Sequence, residues 1–441
     1  MKNYLLFLLV ACLATVSVAQ KSLTRKEIGQ LETLISESST FTRGFTGFAL
    51  FDPEKRAWLS QIQADKYYTP ASNTKIITYF AAQQLLTEDA PIIRYRAAGD
   101  TLHLWGTGYP LLLHPDYVGY DTLAPWLRAR TEPVWVLHNG HYQDERFGEG
   151  WSWDDYPYGY QLEKAALPIY GNFVHVTKDS LLSPLVFSPD YFRNKTVFDA
   201  EGATLSRAED RNVFKFGPKA LSATKLDRYL AFRYSLPLAA ELLADTFQRE
   251  VLLGMDTLNL TRVETLRSPL PDTLYRQYMQ NSDNFLAEQL LLLASSERYG
   301  HLRTSAILAY VRDTLLGQLP QPLDWVDGSG LSRYNQFTPR SVIAVLDQLY
   351  RTVDSTQLFD HFPRGGQSGT IRKWYADPQG EAAVFAKTGT LRHVHCLSGY
   401  LRTRKGKVYL FSFMHNNYPG RIRELREEME RILHWLFEHL E

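Results

Sequence analysis

The sequence predicts an α/β protein of the α+β type, with an antiparallel sheet flanked by helices and a large, mainly β inserted domain. Three observations lead to this expectation. A helical pattern and two strand-like runs stand near the start of the chain, and an aromatic-rich stretch with short strand-like runs follows. Helices, a hairpin and a final amphipathic helix end the chain. Both ends of the chain are therefore expected to build one sheet.

The first part of the chain contains apolar residues at helical spacing over residues 23–37. Two strand-like runs, 44–51 and 57–62, are joined by a turn at 52–55. A second helical pattern covers residues 76–86, and Pro70 stands just before it, where proline is tolerated. This part predicts a helix, a hairpin and a helix.

Residues 90–271 form the predicted inserted domain, with strand-like runs at 134–137 and 173–176 and one helix at 236–251. Helices are expected again at 274–293 and 339–350. A hairpin is predicted from strands at 395–402 and 408–415, and a last helix at 421–440. Residues 20–89 and 272–441 are thus expected to form one domain around the insertion.

The first nineteen residues have the composition of a secretory signal peptide. Lys2 is followed by an apolar run, and the segment ends in small residues with a cleavage position after Ala19. The alternative is a lipoprotein signal ending at Cys12, which is disfavoured because only eleven residues would precede the cysteine. We therefore expect export to the periplasm, with no transmembrane anchor after cleavage.

Charge and cysteine content exclude several classes of protein. The chain has 48 basic and 48 acidic residues, and loss of the signal removes only Lys2. A nucleic-acid partner is not expected, because it would require a basic surface. Only Cys396 stays after cleavage, so stability must come from packed cores rather than an internal disulfide. The length predicts two or three domains.

Ser72 and Lys75 form an S-x-x-K motif at the start of a predicted helix. Three positions on a helix bring both side chains to one face, so the amine can reach the hydroxyl. Serine becomes a good nucleophile when a base takes its proton, and lysine can be that base if its pKa is lowered. The alternative is a surface helix cap.

Ser282, Asp283 and Asn284 form an S-x-N motif that opens or interrupts the next helical run. The Ser282 hydroxyl could pass a proton to a leaving amine, and the Asn284 amide suits a peptide backbone. The alternative is an ordinary N-cap.

Lys387, Thr388, Gly389 and Thr390 follow a strand-like run. The glycine would let a substrate backbone approach, and the ammonium with the hydroxyls suits a terminal carboxylate. The alternative is a turn at the end of a strand. Together, the three motifs in this order form the set found in β-lactamases and penicillin-binding proteins.

With these motifs the chain resembles the low-molecular-mass class C penicillin-binding proteins, the D-alanyl-D-alanine carboxypeptidase and endopeptidase group of serine peptidase family S13. The resemblance also includes residues 280–290 (QNSDNFLAEQL), 327–333 (DGSGLSR) and 391–401 (LRHVHCLSGYL). It implies a β-lactamase/transpeptidase-like catalytic domain. Ser72 and Ser282 are much farther apart than the corresponding serines of class A β-lactamases, which agrees with the large insertion of this family.

The resemblance also implies roles for individual residues. Ser72 would be the acylated nucleophile, Lys75 its general base and Ser282 the proton shuttle. Asn284 would bind the substrate backbone. The substrate carboxylate would be held by a group on the last strand-like run: Lys387, Thr388 and Thr390, with Gly389 between them. The oxyanion hole would be formed by the backbone amides of Ser72 and Thr390.

The function expected from the resemblance is cleavage of peptidoglycan stem peptides through an acyl-enzyme on Ser72, with β-lactam antibiotics as covalent inhibitors. No cofactor and no metal are expected. A metal site on His393, His395 and His415 is the disfavoured alternative. Two other functions stay open: a β-lactamase or esterase with the same chemistry, and a non-catalytic wall-binding or β-lactam-sensing protein.

Overall fold

The structure is a computed structural model, and it describes residues 23–86, 88–202, 205–381 and 383–440. The expected signal segment, with Cys12 and the cleavage position after Ala19, lies outside the described residues. Within the described ranges, no helix combines the length and apolar character needed to cross a bilayer.

The described chain contains both α-helices and β-strands. The α-helices are α1 (Arg25–Ser36), α2 (Thr74–Leu85), α3 (Leu123–Arg128), α4 (Pro218–Leu221), α5 (Leu236–Phe247), α6 (Asp272–Asn281), α7 (Asn284–Tyr299), α8 (Thr304–Tyr310), α9 (Pro339–Thr352), α10 (Ser355–His361) and α11 (Ile422–His439). The strands are β1 (Phe45–Asp52), β2 (Ala57–Ile62), β3 (Asp89–Ala98), β4 (Thr101–Gly106), β5 (Val134–His138), β6 (Phe173–Lys178), β7 (Val186–Ser188), β8 (Thr196–Phe198), β9 (Leu205–Arg207), β10 (Phe214–Phe216), β11 (Leu226–Ala231), β12 (Glu250–Gly254), β13 (Glu264–Pro269), β14 (Ala383–Leu391), β15 (Val394–Arg402) and β16 (Val408–Asn416).

The two ends of the chain share one antiparallel sheet of order β14-β15-β16-β1-β2. Strand β1 pairs with β16 from Phe45 opposite Asn416 to Phe51 opposite Leu410. The hairpin β15-β16 and the edge strand β14 extend the sheet on the other side of β16. The predicted fold class, an antiparallel sheet built from both chain ends, is confirmed.

Helices cover both faces of this sheet because successive side chains of its strands point to opposite faces and are apolar on both. In β1, Phe48 and Leu50 pack into a core with residues of α1 and α11. The intervening Ala49 and Phe51 belong to a second core with residues of α2, α7 and α9. Period-two alternation of buried side chains on both faces produces this three-layer arrangement.

The chain between α2 and α6 forms a second, mixed sheet of order β12-β5-β4-β3-β13 and two small three-stranded sheets. Strands β4, β5 and β12 are parallel to one another, whereas β3 and β13 are antiparallel to their neighbours. Apolar residues of α5 pack on this sheet in the same continuous core that includes α2 and α7. The division of the chain into a catalytic domain and an inserted domain at 90–271 stays a prediction.

The single helix predicted at 236–251, between α2 and α6, is shorter in the structure. Helix α5 ends at Phe247, because Gln248 has a left-handed backbone with φ +53° that stops the helix. The chain then continues as the strand β12, parallel to β5. Two further short helices, α3 and α4, also lie in this region.

Candidate active site

Ser72 lies in a short 3₁₀ turn, Ala71–Asn73, directly before α2. The Nζ atom of Lys75, one helical turn later, is 3.1 Å from Ser72 Oγ. Nζ also donates hydrogen bonds of 2.5 Å to Asn284 Oδ1 and to the carbonyl oxygen of Ser329. As a neutral amine, Lys75 could keep both short bonds with its two N–H groups and direct its lone pair at the Ser72 hydroxyl.

Burial controls the charge of Lys75. Its side chain is fully buried, and loss of hydration lowers its pKa from 10.5 to about 8. The nearby carboxylates of Asp327, Asp283 and Glu288 act in the opposite direction, because they favour the ammonium. The balance gives a lysine that can lose its proton near neutral pH, as a general base for serine requires.

Glu288, on α7 one turn beyond Asn284, supports Lys75 indirectly. Its Oε1 accepts a 2.8 Å hydrogen bond from Ser329 N, and the carbonyl oxygen of Ser329 accepts from Lys75. Burial, followed by the charge of Asp327, raises the pKa of Glu288 to about 7. Sequence reasoning did not assign a role to this residue, because its partner is a backbone group distant in the chain.

Ser282 marks a break between two helices that the sequence predicted as one run at 274–293. Ser282 has φ +59°, which ends α6, and the Asp283 side chain caps α7 by accepting from Leu286 N at 2.9 Å. Lys387 Nζ donates to Ser282 Oγ at 2.8 Å and to the Thr388 carbonyl at 2.9 Å. Ser282 thus connects the S-x-N motif to the K-T-G motif.

Lys387 is fully buried, and burial together with the nearby Lys75 lowers its pKa well below its usual range. A bound carboxylate would favour the charged form, because an opposite charge raises the pKa of an amine. The site thus has a second lysine whose protonation depends on what binds opposite to it.

Gly389 lies against the turn that carries Ser72. A Cβ atom at this position would be 2.3 Å from the carbonyl oxygen of Pro70 and 3.0 Å from Ser72 N. Only glycine fits such an approach without displacing the turn. The K-T-G strand therefore brings its backbone to the Ser72 amide, where the oxyanion hole was predicted.

Strand β14 is the edge strand of the sheet as described. Its first half is covered by the preceding loop, because Ala386 N donates to Pro363 O at 2.9 Å and Gly365 N donates to Val384 O at 2.8 Å. The second half, which begins at Lys387, ends at a cavity. A strand edge beside a cavity can pair with an extended peptide.

The cavity has a volume of about 420 Å³. Its lining includes the predicted residues Ser72, Ser282, Asn284 and Thr390. The other lining residues are Ser152, Asp155, Tyr160, Gln161, Gly330, Leu331, Arg333, Leu391 and Arg392. Several of these come from the segment between α2 and α6.

The two threonines of the K-T-G run have partners of their own. Thr388 Oγ1 donates to Thr370 Oγ1 at 2.8 Å, and Thr390 Oγ1 is 2.8 Å from His395 Nδ1. The structure brings Lys387 together with Ser282, Gly389 together with Ser72, and Thr390 to the cavity.

Asn284 has contacts at both ends of its amide. Its Oδ1 accepts from Lys75, and its Nδ2 donates to the backbone carbonyl of Tyr160 at 2.8 Å. The predicted contact with a substrate backbone therefore needs Nδ2 to exchange or share its acceptor. Tyr160 was missed in the sequence, although the aromatic-rich run 151–160 (WSWDDYPYGY) was a signal that could have found it.

The predicted loop 327–333 folds around the buried carboxylate of Asp327. This carboxylate accepts from Gly330 N at 2.8 Å, from Ser332 N at 2.7 Å and from Asn335 Nδ2 at 2.7 Å. A hydrogen bond of 2.8 Å from Trp151 Nε1 joins the loop to the segment between α2 and α6. The loop carries Ser329, whose carbonyl oxygen holds Lys75.

The three histidines considered for a metal site do not form one cluster. His393 lies in the turn between β14 and β15 with φ +66°. His395 and His415 are paired across neighbouring strands, and their Nδ1 atoms contact Thr390 and Thr46 respectively. In the part of the chain that the structure describes, no three His, Cys, Asp or Glu side chains are arranged to hold a metal ion.

Comparison with known proteins identifies several relatives of this chain. The D-alanyl-D-alanine carboxypeptidase DacB of Haemophilus influenzae is 32% identical over 160 residues, which are 35% of this chain and 33% of that protein. The match thus spans about a third of that relative. A D-alanyl-D-alanine carboxypeptidase of Actinomadura sp. is 26% identical over 437 residues, 88% of this chain and 80% of that one.

Among solved structures, penicillin binding protein 4 of H. influenzae has a similar fold, with a TM-score of 0.70 and 20% identity. The match covers 94% of this chain and 99% of that one. The family model described as D-Ala-D-Ala carboxypeptidase 3 (S13) matches residues 28–191 and 234–436. The resemblance inferred from the three motifs is therefore confirmed, and the chain belongs to the D-Ala-D-Ala carboxypeptidase 3 (S13) family.

Proposed function

We propose that this protein is an exported serine D-alanyl-D-alanine carboxypeptidase and endopeptidase that forms an acyl-enzyme on Ser72. One observation carries the proposal: Lys75 has a lowered pKa and lies 3.1 Å from Ser72 Oγ, with its other donors held by Asn284 and Ser329. This is the arrangement of an activated nucleophile with an oriented base.

In the first half of the reaction, Ser72 Oγ attacks the carbonyl carbon of the penultimate D-alanine, and its proton moves to Lys75 Nζ. The oxyanion that develops is stabilised by the backbone amides of Ser72 and Thr390, and one such donor contributes roughly 3–4 kcal/mol in a comparable serine enzyme. The C–N bond then breaks, and the leaving amine takes a proton through Ser282.

The substrate carboxylate is held by Lys387 and by the Thr390 hydroxyl at the cavity. The Thr388 hydroxyl can join them only if it gives up its bond to Thr370 Oγ1. Gly389 leaves room for the peptide, which lies along the open half of β14 as an added strand. A charged carboxylate beside Lys387 also favours the ammonium form of this buried lysine. Binding of the substrate carboxylate therefore favours protonation of Lys387, the residue that binds it.

In the second half, the released D-alanine leaves the cavity and water enters. Lys75 takes a proton from this water as the water attacks the ester carbonyl. When the ester C–O bond breaks, Lys75 passes this proton to Ser72 Oγ, and the free enzyme is restored. A penicilloyl group keeps its leaving amine attached and blocks the water. We therefore expect penicillin to acylate Ser72 and to be released slowly.

The proposed substrates are peptidoglycan stem peptides, with β-lactams as covalent inhibitors. Two relatives are named D-alanyl-D-alanine carboxypeptidases, and a solved structure of penicillin binding protein 4 from H. influenzae, with 20% identity and a TM-score of 0.64, is a complex with a β-lactam. The apolar segment before Ala19 supports export to the periplasm.

The test is incubation with purified peptidoglycan fragments, followed by separation of the products. Release of free D-alanine supports the carboxypeptidase, and splitting of cross-linked dimers supports the endopeptidase. Hydrolysis of penicillin with neither product would favour a β-lactamase, and binding without any turnover would favour a wall-binding or sensing protein.

A further inference from the structure

Exposed aromatic side chains stand beside the catalytic cavity without a role in the chemistry proposed for Ser72. We propose that Trp153, Tyr158 and Tyr160, here called the aromatic ledge, bind the glycan part of polymeric peptidoglycan through its N-acetylated amino sugars. The inference rests on the proposed function, because it assumes that the peptide in the cavity is attached to a sugar chain.

The three side chains of the aromatic ledge are more exposed than large aromatic side chains usually are. Trp153 is 73% exposed, Tyr158 51% and Tyr160 47%. The rings of Tyr158 and Tyr160 are nearly parallel, with an angle of 11° and a centroid distance of 5.4 Å. Exposed apolar patches beside a site commonly mark a binding surface.

Hydrogen bonds fix both ends of the segment that carries the ledge, one to the loop around Asp327 and one to Asn284. Before it, Trp151 Nε1 donates to Asp327, and at its end the Tyr160 carbonyl accepts from Asn284. Within it, the Tyr160 hydroxyl donates to Asp155 Oδ1 at 2.6 Å. A surface that is already rigid loses little conformational entropy when a ligand binds.

The ledge continues directly from the cavity. Tyr160 lines the cavity, and so does Ser152, the neighbour of Trp153. A stem peptide with four residues before the cleaved bond spans at most about 14 Å when extended. The sugar that carries this peptide must therefore lie close outside the cavity, and the ledge is an exposed aromatic surface within that reach.

The chemistry of the ledge suits a sugar ring. Pyranose rings have apolar C–H faces that stack on aromatic rings, and tryptophan and tyrosine offer large, rigid contact areas with a polar tip. The exposed carboxylate of Asp154, between Trp153 and Asp155, can accept hydrogen bonds from sugar hydroxyls. The combination favours a neutral, hydroxyl-rich glycan over an anionic ligand.

The experiment uses the full chain with Ser72→Ala, so that binding is measured without turnover. Chains of alternating N-acetylglucosamine and N-acetylmuramic acid, with the lactyl carboxyl groups converted to amides so that the polymer is neutral, are titrated by calorimetry. We expect binding to Ser72→Ala and at least a tenfold loss of affinity when Trp153→Ala and Tyr158→Ala are added. Leu182→Ala is the matched control, because Leu182 is 94% exposed and lies in the β6–β7 connection; it should leave affinity unchanged.

In the otherwise unchanged enzyme, the pair Trp153→Ala and Tyr158→Ala should release D-alanine from a soluble pentapeptide at the normal rate but from intact wall polymer more slowly. Absence of glycan binding to Ser72→Ala would overturn the proposal, and so would binding that the ledge variants leave unchanged. A self-association that these variants abolish, without glycan binding, would assign the ledge to a second copy instead. Failure of the unmodified enzyme both to release D-alanine from the pentapeptide and to split cross-linked dimers would separately refute the proposed function.

Discussion

The indole Nε1 of Trp151 donates a hydrogen bond to the buried carboxylate of Asp327, a residue 176 positions later in the chain. Asp327 organises the loop whose Ser329 carbonyl holds Lys75. The segment between α2 and α6 is therefore connected to the general base through one side chain and one loop. This connection makes Trp151 a structural support of the active site.

Trp151→Phe removes the indole donor and leaves the Asp327 carboxylate with its remaining partners. Hydrogen bonds to charged groups contribute about 1.5–3 kcal/mol, so we expect a loss of this order in the free energy of unfolding and slower acylation by penicillin. Denaturant titration measures the first and labelling kinetics the second. Trp153→Phe, at an exposed tryptophan without this bond, is the control; equal losses for both variants would contradict the role of Trp151.

The lowered pKa of Lys75 predicts the pH dependence of acylation. Because only the neutral amine accepts the Ser72 proton, the second-order rate of penicillin acylation should rise with pH and level off above about 8. The rate is measured by labelling between pH 6 and 9. A rate that is constant, or that falls from pH 6 upward, would contradict Lys75 as the base.

Glu288→Gln should move this profile to lower pH. The charge of Glu288 favours the ammonium of Lys75, so its removal lowers the pKa of the lysine further. The glutamine carbonyl can still accept from Ser329 N, and Glu288→Ala, which cannot, is the comparison. An unchanged midpoint in Glu288→Gln, measured by the same labelling, would show that Glu288 has no electrostatic effect on Lys75.

Much of the fold could be predicted from the sequence, since its signals are local. Short apolar runs beside turn residues marked β1 and the final hairpin, and helical spacing marked α1 and α11. The continuation of the chain after Phe247 could not be predicted, because the left-handed Gln248 and the pairing of β12 with the distant β5 have no local signal.

In the active site, too, only contacts between residues close in the chain could be predicted from spacing. Ser72 and Lys75 are neighbours on one turn, so their contact followed from spacing alone. The contacts of Asn284 with Tyr160 and of Glu288 with Ser329 join distant segments and depend on tertiary packing. The family resemblance predicts that the motifs of Ser282 and Lys387 belong to one site. It does not predict the direct contact between these two side chains.

Lys387→Ala should weaken substrates that carry a free carboxylate. Loss of a charge-assisted contact is expected to cost about 1.5–3 kcal/mol, seen as a higher KM and slower acylation. An amidated substrate analogue should lose much less, because it has no carboxylate to anchor. Steady-state kinetics on both substrates provides the measurement, and equal losses would argue against carboxylate binding.

Mass spectrometry after a brief pulse of penicillin tests the acyl-enzyme most directly. We expect one adduct of intact penicillin mass, located on the peptide that contains Ser72 and persisting for minutes or longer. We expect no adduct on Ser72→Ala, whose fold should be kept because alanine at a helix start costs only about 1 kcal/mol. An adduct on another residue, labelling of Ser72→Ala at the normal rate, or rapid recovery of free enzyme with hydrolysed penicillin would contradict these expectations.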